Sequence, residues 1–372
     1  MTANVNFVET IRKLGPSFAE RVVVVDIEGR FVADNYADLK SNKLFSAAVP
    51  SEFGGGGASH AELCAGLREL AQYCSSTALA LSMHTHLVAA AVWRHRHGQP
   101  AEALLRKIAA GELVLVSTGA GDWIESVGRA ERAPGGYTIN ALKRFCSGAP
   151  AGDLVVTSAP FQDGDRAEVL HFAVPMKAAG VIQHDDWDTL GMRGTGSFSI
   201  ELKEVFVAEE SITMRRPGGQ WHPSWSVIMT VAPPIYMAPY VGTAERAAAL
   251  AKEHAKKRAP DAISLQALGE LENALTLTQM AFREMVELAR EYDFEPNVER
   301  ASQMLVRKTI TTKALIATVN AAVEVVGGSA LFRRTGIERL LRDVQGAPFH
   351  PLPEKKQLAF TARVALGLPP VG

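Results

Sequence analysis

The hydrophobic period of this 372-residue chain changes twice, and those two changes constrain the fold more than any single motif. Up to Gly111 the apolar residues recur at helical spacing. In HAELCAGLRELAQYCS (60–75), Leu63, Leu67, Leu70 and Tyr73 share one face. Ser75, Ser76 and Thr77 then offer N-caps for a second helix, LALSMHTHLVAAAVW, which runs to Trp93 without a charge and predicts burial on most sides. A third helix, AEALLRKIAAGE, ends near Gly111. Beyond it, ELVLVS, GYTINALKRF, GDLVVTSA, EVLHFAVP and SFSIELKEVFV are short β-rich runs broken by Gly, Pro and Asp. With no helix-length pattern between them, antiparallel strands are expected. Helical spacing returns after Pro239 in three long segments whose lengths suit an antiparallel bundle. The predicted fold class is α+β: an N-terminal helical bundle (1–113), a central antiparallel β domain (114–220) and a C-terminal antiparallel four-helix-type bundle (221–372).

Composition narrows the function. Lys plus Arg number 39 against 40 for Asp plus Glu, so no basic excess draws the chain to nucleic acid or an anionic membrane. Three cysteines, Cys64, Cys74 and Cys146, form no CxxC pair and point to a reducing compartment and no zinc site. The uncharged run 217–244 carries Pro233, Pro234 and Pro239, and the prolines predict that no continuous apolar helix of about 20 residues fits inside it. The N-terminus lacks the apolar stretch of a signal peptide, and a cytoplasmic protein is expected. His95 and His97 read as a solvated helix end, His184 to Asp186 as a loop, and the four glycines at 54–57 as a turn without the Lys of a phosphate loop.

Three strings in order along the chain carry a family resemblance. VPSEFGGGG (49–57), TLGMRGTGSFSIELKEVFV (189–207) and VEVVGGSALFRRTGIERLLRDVQ (323–345) resemble motifs of the acyl-CoA dehydrogenase superfamily of flavoenzymes. The resemblance implies a flavin whose chemistry the protein positions. It makes Ser147, in KRFCSGAPAGD, the candidate partner of flavin N5, with Phe145 near the ring. It places Ser117 and Thr118 at the pyrimidine edge, although the Glu-Pro of the family string is missing there. Gly327 and Gly328 match a double glycine that admits the phosphate region, and Arg258 keeps the arginine of a string that has lost Phe-Gly. Glu324 stands where the family has Gln, and a carboxylate there repels a pyrophosphate. FAD is therefore the family default and FMN its competitor.

The resemblance also exposes an absence. A dehydrogenase of this type needs a glutamate base within reach of the substrate α-proton. One family position holds Pro351, and the other falls in VIMTVAPPIYMAPYVG, which has no carboxylate. Glu354 is the nearest carboxylate downstream. Instead the chain has His350, seven residues past Asp343, and His84 and His86 in SMHTHL, much as the flavin monooxygenases of the superfamily do. Two residues apart on a helix, the pair points about 200° apart, so at most one faces a pocket; position favours His84. Imidazole suits proton delivery in oxygen chemistry near neutral pH. Met229, Tyr236, Met237 and Tyr240 fit pocket lining and core packing equally.

The expectation is a flavin-dependent oxidoreductase that oxidises or oxygenates a small substrate, an acyl-CoA thioester among the options, with reduced flavin and O2. His350, His84 and Ser147 are its catalytic candidates, a flavin reductase is a candidate partner, and a homodimer or homotetramer is expected. The alternatives are an acyl-CoA dehydrogenase with a relocated base and an inactive acyl-CoA-binding subunit.

Overall fold

A computed structural model describes residues 6–372 apart from 119–121, 123, 165, 258 and 260. Helix α1 (Phe7–Glu28) starts at an Asn6 cap and ends at Gly29 in the left-handed region. Then come α2 (Ala33–Ser41), α3 (His60–Tyr73), α4 (Ser75–Arg96) and α5 (Glu102–Gly111). α3 opens on a full capping box between Ser59 and Glu62. α4 is buried along almost its whole length, as its lack of charge predicted. Its cap is Cys74, however, and Ser75, Ser76 and Thr77 lie inside the first turn, where their hydroxyls bond distant segments instead. Thr77 accepts from Asn35, Ser76 from the Gly194 N–H, and Ser75 from Thr243. A hydroxyl that can bridge two buried elements there does more than a cap.

Strands β1 (Leu115–Ser117), β2 (Arg129–Ala133), β3 (Gly136–Cys146), β4 (Leu154–Asp163), β5 (Arg166–Pro175), β6 (Val181–His184), β7 (Phe198–Ala208) and β8 (Met214–Pro217) form one sheet. The order β6-β7-β3-β2-β4-β5-β8 is antiparallel apart from β4, which runs parallel to β1 and, at one bridge, to β2. The short β1 continues straight out of the helical region. It enters beside β4 with Leu115 opposite Leu154.

Helices α6 (Pro223–Ala255), α7 (Ala262–Leu288), α8 (Val298–Val326), α9 (Ile337–Asp343) and α10 (Glu354–Ala365) complete the chain. α6 overturns the expectation drawn from its prolines. It is a continuous 33-residue helix that passes through Pro233, Pro234 and Pro239. Each proline removes one intrahelical bond, and packing against α3, α4, α7 and α8 outweighs the loss. His60 of α3 bonds the Val231 carbonyl in this stretch at 2.9 Å. Where α3 and α6 cross, a Cβ on Gly242 would stand 2.0 Å from the Arg68 carbonyl oxygen, so only glycine allows the approach. Two helical stretches, Pro223–Ala255 and Val298–Leu331, are long and apolar enough to cross a membrane by length and composition; their most apolar windows are 94% and 44% buried within the chain.

Candidate active site

α4, α6, α8 and the turn after α9 bring one group of polar side chains together. His350 follows the turn that ends α9, and its ring lies parallel to Tyr236, with centroids 5.0 Å apart and planes at 16°. Its Nε2 pairs with the Tyr240 hydroxyl at 2.8 Å. Tyr236 and Tyr240 are four residues apart on α6 and therefore share a face. Beneath the ring, Lys308 of α8 donates to the His350 carbonyl at 3.0 Å. Burial pushes the His350 ring down to about 3, and the charges of Lys308 and His86 add to that. Among the described residues no carboxylate bonds this histidine.

His86, not His84, is thus the α4 histidine near His350. His84 is a satisfied core group: its Nε2 bonds the Phe45 carbonyl at 2.7 Å and its Nδ1 accepts from the Leu115 N–H at 3.0 Å. Those two bonds fix one neutral tautomer and tie α4 to β1. Burial lowers the ring to about 4. His86, 200° around the helix, is half-buried, with one bond from Nδ1 to the Ser82 carbonyl at 3.2 Å. Position along the chain favours His84, whereas the fold engages both of its ring nitrogens with backbone groups and leaves His86 a single bond.

A second group forms on the sheet, at the end of β3. Phe145 is 59% exposed and meets Trp187 edge to face at 5.4 Å. Beside it, Ser147 pairs with Ser197 at 2.8 Å, Ser197 with Thr195 at 2.7 Å, and Thr195 donates to the Met192 carbonyl at 3.0 Å. Each hydroxyl has one proton, so a carbonyl at the end of the chain sets every direction. Thr195 gives its proton to Met192, Ser197 to Thr195 and Ser147 to Ser197. Ser147 is left with its lone pairs free to accept.

The other candidates divide. Ser117, at the end of β1, is half-buried and carries no side-chain bond among the described residues. Thr118 is buried, and its hydroxyl is engaged with Asp122 and with Thr157 at 3.0 Å, so its side chain cannot serve a ligand. Gly327 takes φ +67°, and neither it nor Gly328 has any atom within 4 Å of where a Cβ would stand, so the double glycine faces open space. Glu324 is exposed one turn before them. Arg258 lies outside the described residues. Glu354, at the start of α10, pairs with Lys313 at 2.8 Å, and that bond above all holds its carboxyl below the usual range, which makes it a poor base. Tyr236 and Tyr240, which the sequence left open between pocket lining and core packing, both meet His350; Lys308 was not singled out from the sequence, and Trp187 was read there only as following a loop.

An open double glycine, an exposed aromatic beside an accepting hydroxyl, and a half-buried Ser117 make a polar set and a flat apolar contact that suit a flavin. Ser117, Phe145, Ser147 and Trp187 would hold its ring, and Gly327 with Gly328 its phosphate.

Comparison with known proteins agrees with the fold. Residues 6–112 match the family model "Acyl-CoA dehydrogenase, N-terminal domain" and residues 235–352 the model "Acyl-CoA dehydrogenase, C-terminal domain". Dibenzothiophene monooxygenase of Mycolicibacterium goodii is 25% identical over 92% of this chain and 89% of its own. The structure of KijD3 with FMN and a dTDP-glucose derivative superposes with a TM-score of 0.89 at 25% identity, covering 99% of this chain and 95% of that one. TdsC from Paenibacillus sp. A11-2, solved with FMN and indole, shares the fold at a TM-score of 0.84 and 20% identity, over 97% of each chain.

Proposed function

Because the chain belongs to the acyl-CoA dehydrogenase family and is a flavin-dependent oxidoreductase, we propose that it is a monooxygenase of that family. It uses FMN, delivered in reduced form by a separate reductase, to oxygenate a small molecule with O2. The observation that carries this reading is His350, clasped by Tyr236 and Tyr240 with His86 close by and, among the described residues, no carboxylate bonded to it. A site without a carboxylate cannot take an α-proton as the dehydrogenases do, whereas an imidazole with a hydroxyl partner can hold and hand on a proton. FMN is favoured over FAD by the FMN-bound neighbour and by the exposed Glu324 near the double glycine.

A bound reduced flavin supplies the electrons and the reactivity toward O2. Ser147, held as an acceptor by its relay to Met192, matches the N–H that a flavin carries at N5 only when reduced. Phe145 and Trp187 cover an apolar ring face, and Tyr240 keeps the His350 proton in line. His86 gives the site a second neutral imidazole. Large apolar side chains left exposed on the C-terminal helices, among them Ile263 (82%), Leu277 (51%), Met280 (56%) and Ile310 (44%), support a homodimer or homotetramer.

The test is anaerobic. Protein loaded with FMN is reduced and mixed with acyl-CoA thioesters, then with oxygenated buffer. The proposal expects no reaction before oxygen, and reoxidation slower than that of free reduced FMN, a delay that His350→Ala abolishes. Flavin reoxidation by thioester before oxygen is admitted would make the protein a dehydrogenase, and failure to take up FMN or FAD at micromolar concentration would leave a binding subunit.

A further inference from the structure

The turn carrying His350 is gripped from two sides. Lys308 has 1% of its surface exposed, yet among the described residues no carboxylate pairs with it. Its Nζ donates to the carbonyls of His350 at 3.0 Å and Leu352 at 3.4 Å. The carbonyl between them, that of Pro351, accepts from the Tyr236 hydroxyl at 2.5 Å. Three consecutive carbonyls of a loop are thus all bonded to side chains of α6 and α8. Tyr236 bonds the turn and also stacks on the ring that the turn presents. An ammonium is a poor choice for such a place on stability grounds alone, since taking it out of water is costly and a methionine would fill the same volume.

We propose that Lys308 is a positioning residue for the reaction: it holds the 350–352 turn so that the His350 imidazole sits between Tyr236 and Tyr240. This rests on the reading of His350 given above. The same ammonium disfavours a charge on the ring. The groups around the ring are His86 from α4, Tyr236 and Tyr240 from α6 and Lys308 from α8. Behind them, Asp343 of α9 acts on Tyr240, and Glu354 of α10 acts on Lys308 while pairing with Lys313. Lys308 itself is pushed down to about 8 by burial.

Histidine side-chain NMR of the full chain, with the His350 signal assigned by His350→Gln, reads this directly and needs no turnover. In Lys308→Met the His350 signal should titrate at higher pH than in the wild type, though still below an ordinary histidine because burial remains, and should broaden as the turn loosens. Lys308→Gln keeps a donor for the carbonyls and loses the charge, so it should show the upward titration with less broadening. It also decides the matter if Lys308→Met does not fold. Oxygen-dependent turnover should fall roughly 10- to 100-fold in Lys308→Met, with no further loss when it is combined with His350→Gln. A His350 signal no broader in Lys308→Met than in the wild type, or, where that variant does not fold, a turnover of Lys308→Gln as low as that of His350→Gln, overturns the hold; an unchanged titration in Lys308→Gln overturns the effect of the charge. Full turnover in His350→Gln overturns the role of His350, and Lys308's part in the reaction with it, even where the NMR shows the hold intact.

Discussion

At His84 both ring nitrogens serve backbone groups that come from other elements, the Phe45 carbonyl and the Leu115 N–H. Replacing it by Ala leaves both groups buried and unpaired, at about 1–3 kcal/mol each. Urea unfolding should show a loss of that order for His84→Ala. His86→Gln should unfold at nearly the wild-type midpoint and instead lose turnover by roughly 100-fold, the lower range for a positioned acid or base; the reverse pattern would return the role to His84. The same residues set a pH dependence. His84 and His86 are lowered to about 4, and His171 and His350 to about 3, all chiefly by burial. In the unfolded chain a histidine titrates near ~6.5. Between those values the unfolded state binds more protons, so stability is complete above about pH 6.5 and falls as pH drops through 4. Asp343, raised to about 6 by burial, works in the opposite sense below that pH and offsets one histidine. Urea midpoints at pH 7.5, 6 and 5 should therefore decline, and a flat series would contradict the buried neutral histidines.

Single elements tie the site to the rest of the chain. β1 leaves the helical region with its first N–H bonded to α4, which sets the register of Ser117 two residues later. α6 supplies both tyrosines, and its place depends on the contact at Gly242. Gly242→Ala puts a methyl into the Arg68 carbonyl and must force α3 and α6 apart. A loss of about 1–3 kcal/mol is expected from such overpacking, with the Tyr236 and Tyr240 contacts disturbed as well. Calorimetry of the variant would show it, and an unshifted melting temperature would mean that the crossing is looser than this geometry. α9 is locked from two directions: Arg342 makes a bidentate pair with Asp26 of α1 at 2.6 and 3.0 Å, and Asp343 accepts from the Met192 N–H at 2.6 Å. The carbonyl of that same Met192 ends the hydroxyl relay to Ser147. The turn bearing His350 and the strand end bearing Ser147 thus share one anchor.

On the scale of the whole molecule, the helical regions and the sheet are joined by such contacts rather than by sequence neighbours. The exposed apolar residues of the C-terminal helices leave a face that water solvates poorly, and light scattering should return a multiple of the 40.0 kDa chain mass. A monomer at all concentrations would refute the homo-oligomer. Covering that face with a second copy should also make the melting temperature rise with protein concentration.

The order helix, sheet, helix was legible in the chain because apolar periodicity is a local property, and so were the strand end at Phe145–Ser147 and the open glycines, which local motifs mark. Tertiary structure decided the rest. α4 has no charged stripe, so nothing in its sequence tells which of its faces turns His84 or His86 toward His350. Both nitrogens of His84 are engaged by Phe45 and Leu115, 39 and 31 residues away. Prolines forbid a helix locally, yet α6 forms because packing on all sides repays the broken bonds. Tyr240 and Lys308 gained a role only when a turn 110 and 42 residues further on was placed against them. A side chain's chemistry is written in its type, but what it does depends on which partners the folded chain brings within bonding distance.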